Sequence, residues 1–149
     1  MNEAACSPHF APPLVRYATE PGLGVVEFQH LLLHSGLAGI RPVEDLARLH
    51  TMLARADLVV TARLDQPDRR LVGIARCITD FAWCAYLSDL AVVSSEQGRG
   101  IGKGLLSKTR DLLGPGVALV LSSVPEAAEF YERLQMQRIE NSFWYRRQC

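Results

Sequence analysis

Two periodicities of apolar residues alternate along this chain, and each predicts a different kind of element. Short apolar and β-branched runs, separated by breaks that contain glycine, proline or charge, are typical of strands. They occupy residues 14–19, 58–64, 71–79, 85–93, 117–122 and 139–146. Apolar residues that recur every three or four positions predict helices over residues 25–34, 42–56 and 100–113, and a last helix opens near Ser123.

Two of these helices carry recognisable start signals. Pro42 suits the first position of the second helix, and Glu44 and Asp45 would lie near the positive end of its dipole. Ser123 and Glu126 have the Ser-x-x-Glu spacing of a capping box, which predicts that the last helix begins there.

The order of these elements, βααβββαβαβ, predicts an α/β fold with a mixed sheet flanked by helices. The strands at 58–64 and 71–79 flank a short charged loop, so we expect them to pair antiparallel. A chain of 149 residues is of the size of one domain. We therefore predict a single domain over residues 1–149, with 1–13 as a flexible N-terminal segment.

The charge balance argues against two classes of partner. The chain has 16 basic and 16 acidic residues, so no overall field favours nucleic acid or an anionic membrane. Its apolar runs are far shorter than the roughly 20 residues of a membrane span. The first thirteen residues lack the basic start and apolar core of a signal peptide, so we expect a cytoplasmic protein.

The cysteines and histidines do not have the spacing of a metal site. The four cysteines are scattered without a Cys-x-x-Cys pair, which favours reduced structural thiols. His30 and His34 are one helical turn apart, but no carboxylate or third ligand accompanies them. We therefore predict no metal.

Four glycines fall within seven residues directly after the strand at 85–93 and at the start of the next helix. Each glycine inside a helix costs about 1 kcal/mol relative to alanine, so such a cluster suggests that something approaches the backbone closely. A helix N-terminus offers unpaired N–H groups and the positive end of the dipole, which suits a phosphate. Arg99 and Lys103 add positive charge at this loop.

Spacing decides which phosphate loop this is. A dinucleotide-binding GxGxxG that starts at Gly98 would need glycine where Lys103 stands, and a P-loop ending at Gly102 and Lys103 would need a hydroxyl at Gly104. The pattern that fits is Gln-x-x-Gly-x-Gly, after a strand and opening a helix. With it, the chain closely resembles the GNAT acetyltransferases.

The resemblance extends over about residues 58–146, because residues 87–92 are similar to the central GNAT strand and residues 130–134 to a later helix of the family. It implies that the loop N–H groups hold the pyrophosphate of acetyl-CoA while the central strand pairs with the pantetheine arm. The residues implied to bind acetyl-CoA are Leu90, Ala91, Val92, Val93, Gln97, Gly98, Arg99, Gly100, Ile101, Gly102 and Lys103. Tyr131 matches the tyrosine that often protonates the departing thiolate.

The sequence departs from the family pattern at two places. Val124 stands where the family often has asparagine, which removes one polar contact. The segment Leu134, Gln135 and Met136 replaces an ending similar to Leu-Gly-Phe, which changes the turn after the helix.

Outside the loop, several residues have two possible interpretations. Asp89 lies in an otherwise apolar strand, so it is either bonded within the fold or turned toward a cleft, where it could accept a proton from an amine. Trp83, Trp144 and Tyr145 either line an acceptor pocket or cover the sheet. We list Asp89 with Tyr131 as candidate catalytic residues.

The function implied is transfer of acetyl from acetyl-CoA to a primary amine in a ternary complex. The alternative is a GNAT-like module that binds acetyl-CoA, as a sensor or a platform for partners, without turnover. A nucleotide-binding protein of another fold is a third, remote alternative. The acceptor amine could belong to a small molecule or a polypeptide, and a homodimer is left open.

Overall fold

A computed structural model describes residues 11–148 and contains a five-stranded sheet whose strands lie in sequence order. The strands are β1 (Val15–Thr19), β2 (Leu58–Leu64), β3 (Leu71–Thr79), β4 (Cys84–Val92) and β5 (Ala118–Val120). Neighbours from β1 to β4 are antiparallel, whereas β5 runs parallel to β4. The sheet is therefore mixed, as predicted, and β2 and β3 pair antiparallel.

Four α-helices connect or follow these strands: α1 (Val25–His34), α2 (Leu46–Ala54), α3 (Ile101–Leu113) and α4 (Ala128–Arg133). Short 3-10 turns occupy Ala38–Ile40, Ser94–Glu96 and Pro125–Ala127. Helix α3 forms the crossover between parallel strands β4 and β5 and packs against β1 to β4, while α1 packs against β3 and β4. None of the helices among residues 11–148 is long and apolar enough to cross a membrane.

Strands β2 and β3 form the centre of the core. Nearly every residue of both strands is buried, which requires cover on both faces of the sheet. Phe28, Leu32 and Leu49 from α1 and α2 and Leu105 from α3 are completely buried in the same core. Because β4 lies beside β3, the loop that follows β4 begins from a rigid base.

Helix α2 begins four residues later than the sequence predicted, because Asp45 caps it from outside. The Asp45 carboxylate accepts a hydrogen bond of 2.9 Å from the backbone N–H of Arg48, so Asp45 is the N-cap residue rather than part of the first turn. Pro42 precedes the helix, and its carbonyl accepts a 3.0 Å bond from the Asp45 N–H across a turn.

The predicted capping box at Ser123 does not form. The Ser123 hydroxyl donates to the carbonyl of Val124 at 2.7 Å instead of capping a helix. The chain first makes the 3-10 turn that starts at Pro125, and α4 begins only at Ala128. The prediction was wrong because a side-chain bond to the nearest carbonyl competes with the cap.

A sixth strand at residues 139–146 is the other prediction that was wrong. Within residues 11–148 the sheet ends at β5, and the order is βααβββαβα. Phe143 and Tyr145 are 95% and 104% exposed, so no burial of their side chains stabilises strand pairing. Of the predicted flexible segment, residues 1–10 lie outside the described part of the chain, while the Pro13 carbonyl accepts a 2.6 Å bond from Arg99.

The two described cysteines differ sharply in environment. Cys77 is buried in β3 and Cys84 is exposed at the start of β4, and both are free thiols. Burial raises the pKa of the Cys77 thiol to about 11. Cys6 and Cys149 lie outside the described residues.

We predict that iodoacetamide at pH 8 modifies Cys84 at least about a hundredfold faster than Cys77. Alkylation requires an accessible thiolate, whereas the Cys77 thiol is buried and stays protonated at this pH. Peptide mass mapping over time would measure both rates, with Cys6 and Cys149 resolved on separate peptides. In denaturant the two rates should converge. Similar rates in the folded protein would contradict the burial of Cys77.

Candidate active site

The site is built around a gap between two parallel strands. Strand β5 pairs with β4 only at Cys84, Ala85 and Tyr86, through Ala118, Leu119 and Val120. Residues 87–92 of β4 pair with β3 on one edge, and on the other edge no strand from residues 11–148 lies beside them. The backbone of β4 is therefore open along this edge.

Hydrogen-bond alternation shows which groups face the opening. The N–H of Val93 donates to the carbonyl of Val72 at 2.9 Å, so Val93 and every second residue before it direct their backbone groups toward β3. The N–H groups of Leu90 and Val92 consequently point to the open edge. The Val92 carbonyl accepts a 2.9 Å bond from Gln97 Nε2, which fixes the loop to the strand end.

A β-bulge lies just before these residues. Arg76 of β3 is opposite Asp89, whereas the next residue, Cys77, is opposite Leu87, so Ser88 is the extra residue in β4. Bulges bend a strand and are common beside active sites.

The glycine loop has the geometry that its sequence suggested. Gly98 and Gly100 have φ values of +78° and +77°, and Gly100 is the N-cap of α3. The first bond within the helix runs from the Gly104 N–H to the Gly100 carbonyl at 3.0 Å. The N–H groups of Ile101, Gly102 and Lys103 precede that bond, so they are the unpaired donors of the helix start.

The four glycines are needed for different reasons. A side chain at Gly98 or Gly100 would meet no atom within 4 Å, so both face open space and are required for their positive φ. A Cβ at Gly102 would lie 3.1 Å from Phe130, and one at Gly104 would lie 2.3 Å from Tyr17. Only Gly98 and Gly100 therefore border the space outside the loop. Gly102 and Gly104 lack a Cβ so that Phe130 and Tyr17 can pack against α3.

The two cations of the loop are not equivalent. Arg99 is held within the fold, where Nη1 pairs with Glu96 and Nη2 donates to the Pro13 carbonyl. Glu96 also accepts a 2.7 Å bond from Arg70. Lys103 is exposed and makes no ion pair with residues 11–148. Lys103 is therefore the side chain available to an anion.

The other implied binding residues can contribute only through their backbone. Ala91, Val93 and Ile101 have buried side chains, and those of Leu90 and Val92 are half-buried in the core.

Tyr131 lies on α4 beside a large cavity. Its half-buried ring packs edge-on against Phe130 with centroids 5.0 Å apart, and burial raises the pKa of the phenol above its usual value near 10. The cavity has a volume of about 890 Å³ and lies between the end of β5, α4 and the C-terminal segment. Since Phe130 also lies against Gly102, α4 is held next to the start of α3.

The three aromatic residues for which pocket lining and sheet cover were both possible lie in different places. Trp144 lines this cavity, together with Tyr86 and Phe143, which the sequence did not single out. Trp83 and Tyr145 do not line it, and they are 78% and 104% exposed. Tyr86 lies opposite Val120 where β4 and β5 pair, and this position places it beside the cavity. The pairing exists only in the folded sheet, so the sequence alone does not reveal the role of Tyr86.

Asp89 is bonded within the fold rather than turned toward a cleft. Its side chain has no exposed surface; Oδ1 accepts from Arg41 Nε and Oδ2 from Arg76 Nε, both at 2.5 Å. Of the two interpretations of this carboxylate, the structure selects the first.

His30 and His34 lie on the exposed end of α1, with their ring centroids 4.1 Å apart. Residues 11–148 contain no group of three or more His, Cys, Asp or Glu side chains that could hold a metal ion.

Comparison with known proteins identifies the family. Residues 55–135 match the family described as "Acetyltransferase (GNAT) domain". The chain belongs to the GNAT family. It is 35% identical over 83 residues to "Histone acetyltransferase TAP1" of Glycine max, an alignment that covers 52% of this chain and 36% of that protein. It thus spans about a third of the length of the curated relatives it matches.

Solved GNAT structures share the fold. An acetyltransferase of the GNAT family from Streptococcus pneumoniae superposes with a TM-score of 0.69 at 19% identity, covering 91% of this chain and 100% of that one. The aminoglycoside N-acetyltransferase AAC(6')-Iy in complex with CoA has a TM-score of 0.66 at 16% identity, covering 93% and 98%.

The unusual turn after α4 of this GNAT domain has a clear structure. Gln135 has a φ of +61°, the left-handed conformation that glycine adopts most readily. The N–H of Met136 bonds to the Tyr131 carbonyl at 3.1 Å and that of Gln135 to the Glu132 carbonyl at 2.9 Å, which is the Schellman pattern. The turn is therefore retained without glycine, at a conformational cost.

We predict that Gln135→Gly stabilises the protein by about 0.5–1 kcal/mol, because relief of the left-handed strain outweighs the added chain entropy. Chemical denaturation would measure the change. Gln137→Gly, two residues further along and without positive φ, should be neutral or destabilising. Equal effects of the two substitutions would contradict a strained Gln135.

Proposed function

We propose that this GNAT domain transfers the acetyl group of acetyl-CoA to a primary amine, which attacks the thioester directly. The observation that carries the proposal is the open edge of β4 at the N–H groups of Leu90 and Val92, which the glycine loop and the unpaired N–H groups of α3 follow directly in the chain. Family membership supports the same chemistry.

The residues present fit acetyl-CoA. A pyrophosphate at the start of α3 would accept from the N–H groups of Ile101, Gly102 and Lys103, with the Lys103 ammonium adding charge and the open space at Gly98 and Gly100 admitting the phosphates. The amides of the pantetheine arm would extend the sheet along residues 90–92. When bound, acetyl-CoA supplies the activated acetyl group.

Two features of the strand favour the acyl-transfer step. Holding the amine and the thioester together in one cleft removes much of the entropic barrier. The thioester oxygen gains negative charge in the transition state, and a fixed N–H near Val92 is suited to stabilise it. Gln97 donates to the Val92 carbonyl and so holds the peptide unit that directly follows this N–H.

In this proposal Tyr131 gives a proton to the leaving thiolate, and Asp89 does not take the amine proton directly. The raised pKa of Tyr131 keeps its phenol protonated at neutral pH, so it can donate a proton to the leaving thiolate. For Asp89 to accept a proton directly, one of its arginine contacts would have to break. We therefore propose that Asp89 contributes by holding the strand, and that water takes the amine proton.

The acceptor belongs to a broad class in this proposal: a primary amine of a small molecule or of a polypeptide. The matched relatives and structures carry names that refer to histones and aminoglycosides. We propose no nucleic-acid or membrane partner, given the balanced charge. A cytoplasmic location and a homodimer stay predictions.

The central experiment combines calorimetry with thiol release on a panel of amines. We expect acetyl-CoA to bind and at least one amine to release CoA thiol. Gly100→Val should weaken binding by an order of magnitude or more, because the side chain would enter the space in front of the helix start and strain a positive φ.

The matched control is Gly114→Val, at the opposite end of the same helix. Gly114 also has a positive φ, of +83°, and open space around its Cβ, so the variant should lose stability but retain affinity. Unchanged affinity in folded Gly100→Val would refute the binding site. Binding without turnover on any amine would favour the sensor module over the enzyme.

For Tyr131 we predict that Tyr131→Phe lowers kcat by about ten- to a thousandfold with little change in affinity for acetyl-CoA, because only the proton donor is lost. Since burial raises the pKa of this phenol, a basic limb of the pH-rate profile that belongs to it should lie above pH 10 and vanish in the variant.

The melting temperature of the same preparation separates catalysis from packing. Tyr145→Phe, at a fully exposed tyrosine that does not line the cavity, is the matched control and should keep normal turnover. A lowered melting temperature with normal turnover in Tyr131→Phe would show that Tyr131 is structural.

A further inference from the structure

We propose that Arg41 is a positioning residue, which fastens the connection between α1 and α2 to the bulge of β4 and thereby sets the direction of the Leu90 and Val92 N–H groups. The inference rests on the proposed function, since it concerns the strand that faces the thioester.

All three nitrogens of the Arg41 guanidinium are engaged. Nε donates to Asp89 Oδ1 at 2.5 Å, Nη2 donates to the Ser88 carbonyl at 2.6 Å, and Nη1 donates to the Ile40 carbonyl at 3.0 Å. Two of these contacts are with consecutive residues of β4, and one of those residues is the bulge itself. Arg41 therefore holds the irregular part of the strand from the side of the helical connection.

Arg76 holds the same two residues from the neighbouring strand. Its Nε donates to Asp89 Oδ2 at 2.5 Å and its Nη2 to the Ser88 hydroxyl at 2.8 Å, while Nη1 reaches the Met52 carbonyl in α2 at 3.2 Å. The Ser88 hydroxyl and both Asp89 oxygens thus each accept a hydrogen bond from an arginine. The pair of arginines clamps the bulge from two directions.

The clamp lies next to the proposed chemistry. Leu90 directly follows Asp89, and the bulge decides which backbone groups after it face the open edge. Loss of Arg41 would leave the Ser88 carbonyl and one Asp89 oxygen without these donors, and the strand would relax to recover partners. A displacement of about 1 Å at a reacting group can reduce a rate by about a hundredfold.

The two arginines differ in how well the fold should tolerate their loss. The Arg76 side chain is 5% exposed, so its removal would leave the Asp89 charge without its buried partner. The Arg41 side chain is 21% exposed, and its removal still leaves the pair of Arg76 and Asp89 intact. Substitution of Arg41 should therefore change the geometry of the β4 bulge while the protein stays folded.

The experiment compares Arg41→Gln, Arg41→Lys and the control Arg48→Gln. The control removes a half-exposed arginine of α2 whose one ion pair within residues 11–148 is with Asp45, at 3.6 Å. Each variant is measured for melting temperature, for calorimetric affinity for CoA and for kcat with the best amine of the panel. Amide NMR then records the shift difference of Leu90 and Val92 between the CoA and acetyl-CoA complexes, which reports contact with the acetyl oxygen.

We expect Arg41→Gln to lower kcat by about ten- to a hundredfold, to change the dissociation constant of CoA by less than about threefold, and to reduce the shift difference at Leu90 and Val92. Arg41→Lys should recover part of kcat, because an ammonium can donate to one or two of the three acceptors. Arg48→Gln should match wild type in all measurements.

Three outcomes would overturn the proposal: normal kcat in Arg41→Gln, a loss of kcat that disappears at a temperature where the variant is fully folded, or unchanged amide shifts. Failure of the proposed function has a different signature, which is a wild-type protein that binds acetyl-CoA and acetylates no amine. In that case the amide shifts of the two Arg41 variants alone decide whether Arg41 sets the strand geometry.

Discussion

The Asp89 carboxylate is buried in the middle of β4, and the hydrogen-bonded groups around it compensate for its charge. Removing an ionised carboxylate from water costs several kcal/mol unless hydrogen bonds and opposite charge compensate for it. Arg41 and Arg76 supply both. Their remaining nitrogens reach backbone carbonyls of Ile40, Ser88 and Met52, or the Ser88 hydroxyl. One charge thereby joins β3 and β4 to α2 and to the connection that precedes it, and it does so next to the residue at which β4 is irregular.

β4 is both a core strand and the proposed binding edge. On one side β4 is paired with β3 as far as Val92, which keeps it rigid. On the other side it leaves β5 after Tyr86, because β5 ends at Val120 and the chain turns toward α4. The opening is thus a property of the strand lengths and not of a mobile lid. Beside this opening, Phe130 of α4 contacts Gly102 at the start of α3, and Tyr131 borders the cavity at the end of β5.

The glycine loop combines two physical requirements that look alike in sequence. Gly98 and Gly100 allow left-handed backbone, which turns the chain so that the first N–H groups of α3 point outward. Gly102 and Gly104 remove side chains so that α3 can lie against Phe130 and Tyr17. The loop is also anchored to the sheet, because Glu96 pairs with both Arg99 in the loop and Arg70 directly before β3. The N–H groups are therefore presented by a fixed scaffold.

The sequence by itself determined the elements whose signals are local. Helix α1 and strands β2 and β3 have the predicted bounds, and the strand, loop and helix around Gly100 are in place, because periodicity and turn residues act within a few positions. The tertiary structure decided everything that depends on distant partners. Asp89 is paired with an arginine 48 residues away, which no local pattern reveals. The segment at 139–146 has the composition of a strand but pairs with no strand in the described part of the chain. Gly104 is small because Tyr17 from β1 occupies the place of a side chain. Burial and hydrogen bonding are settled only when the chain is assembled, because the free energy of a buried charge or an unpaired strand depends on what surrounds it.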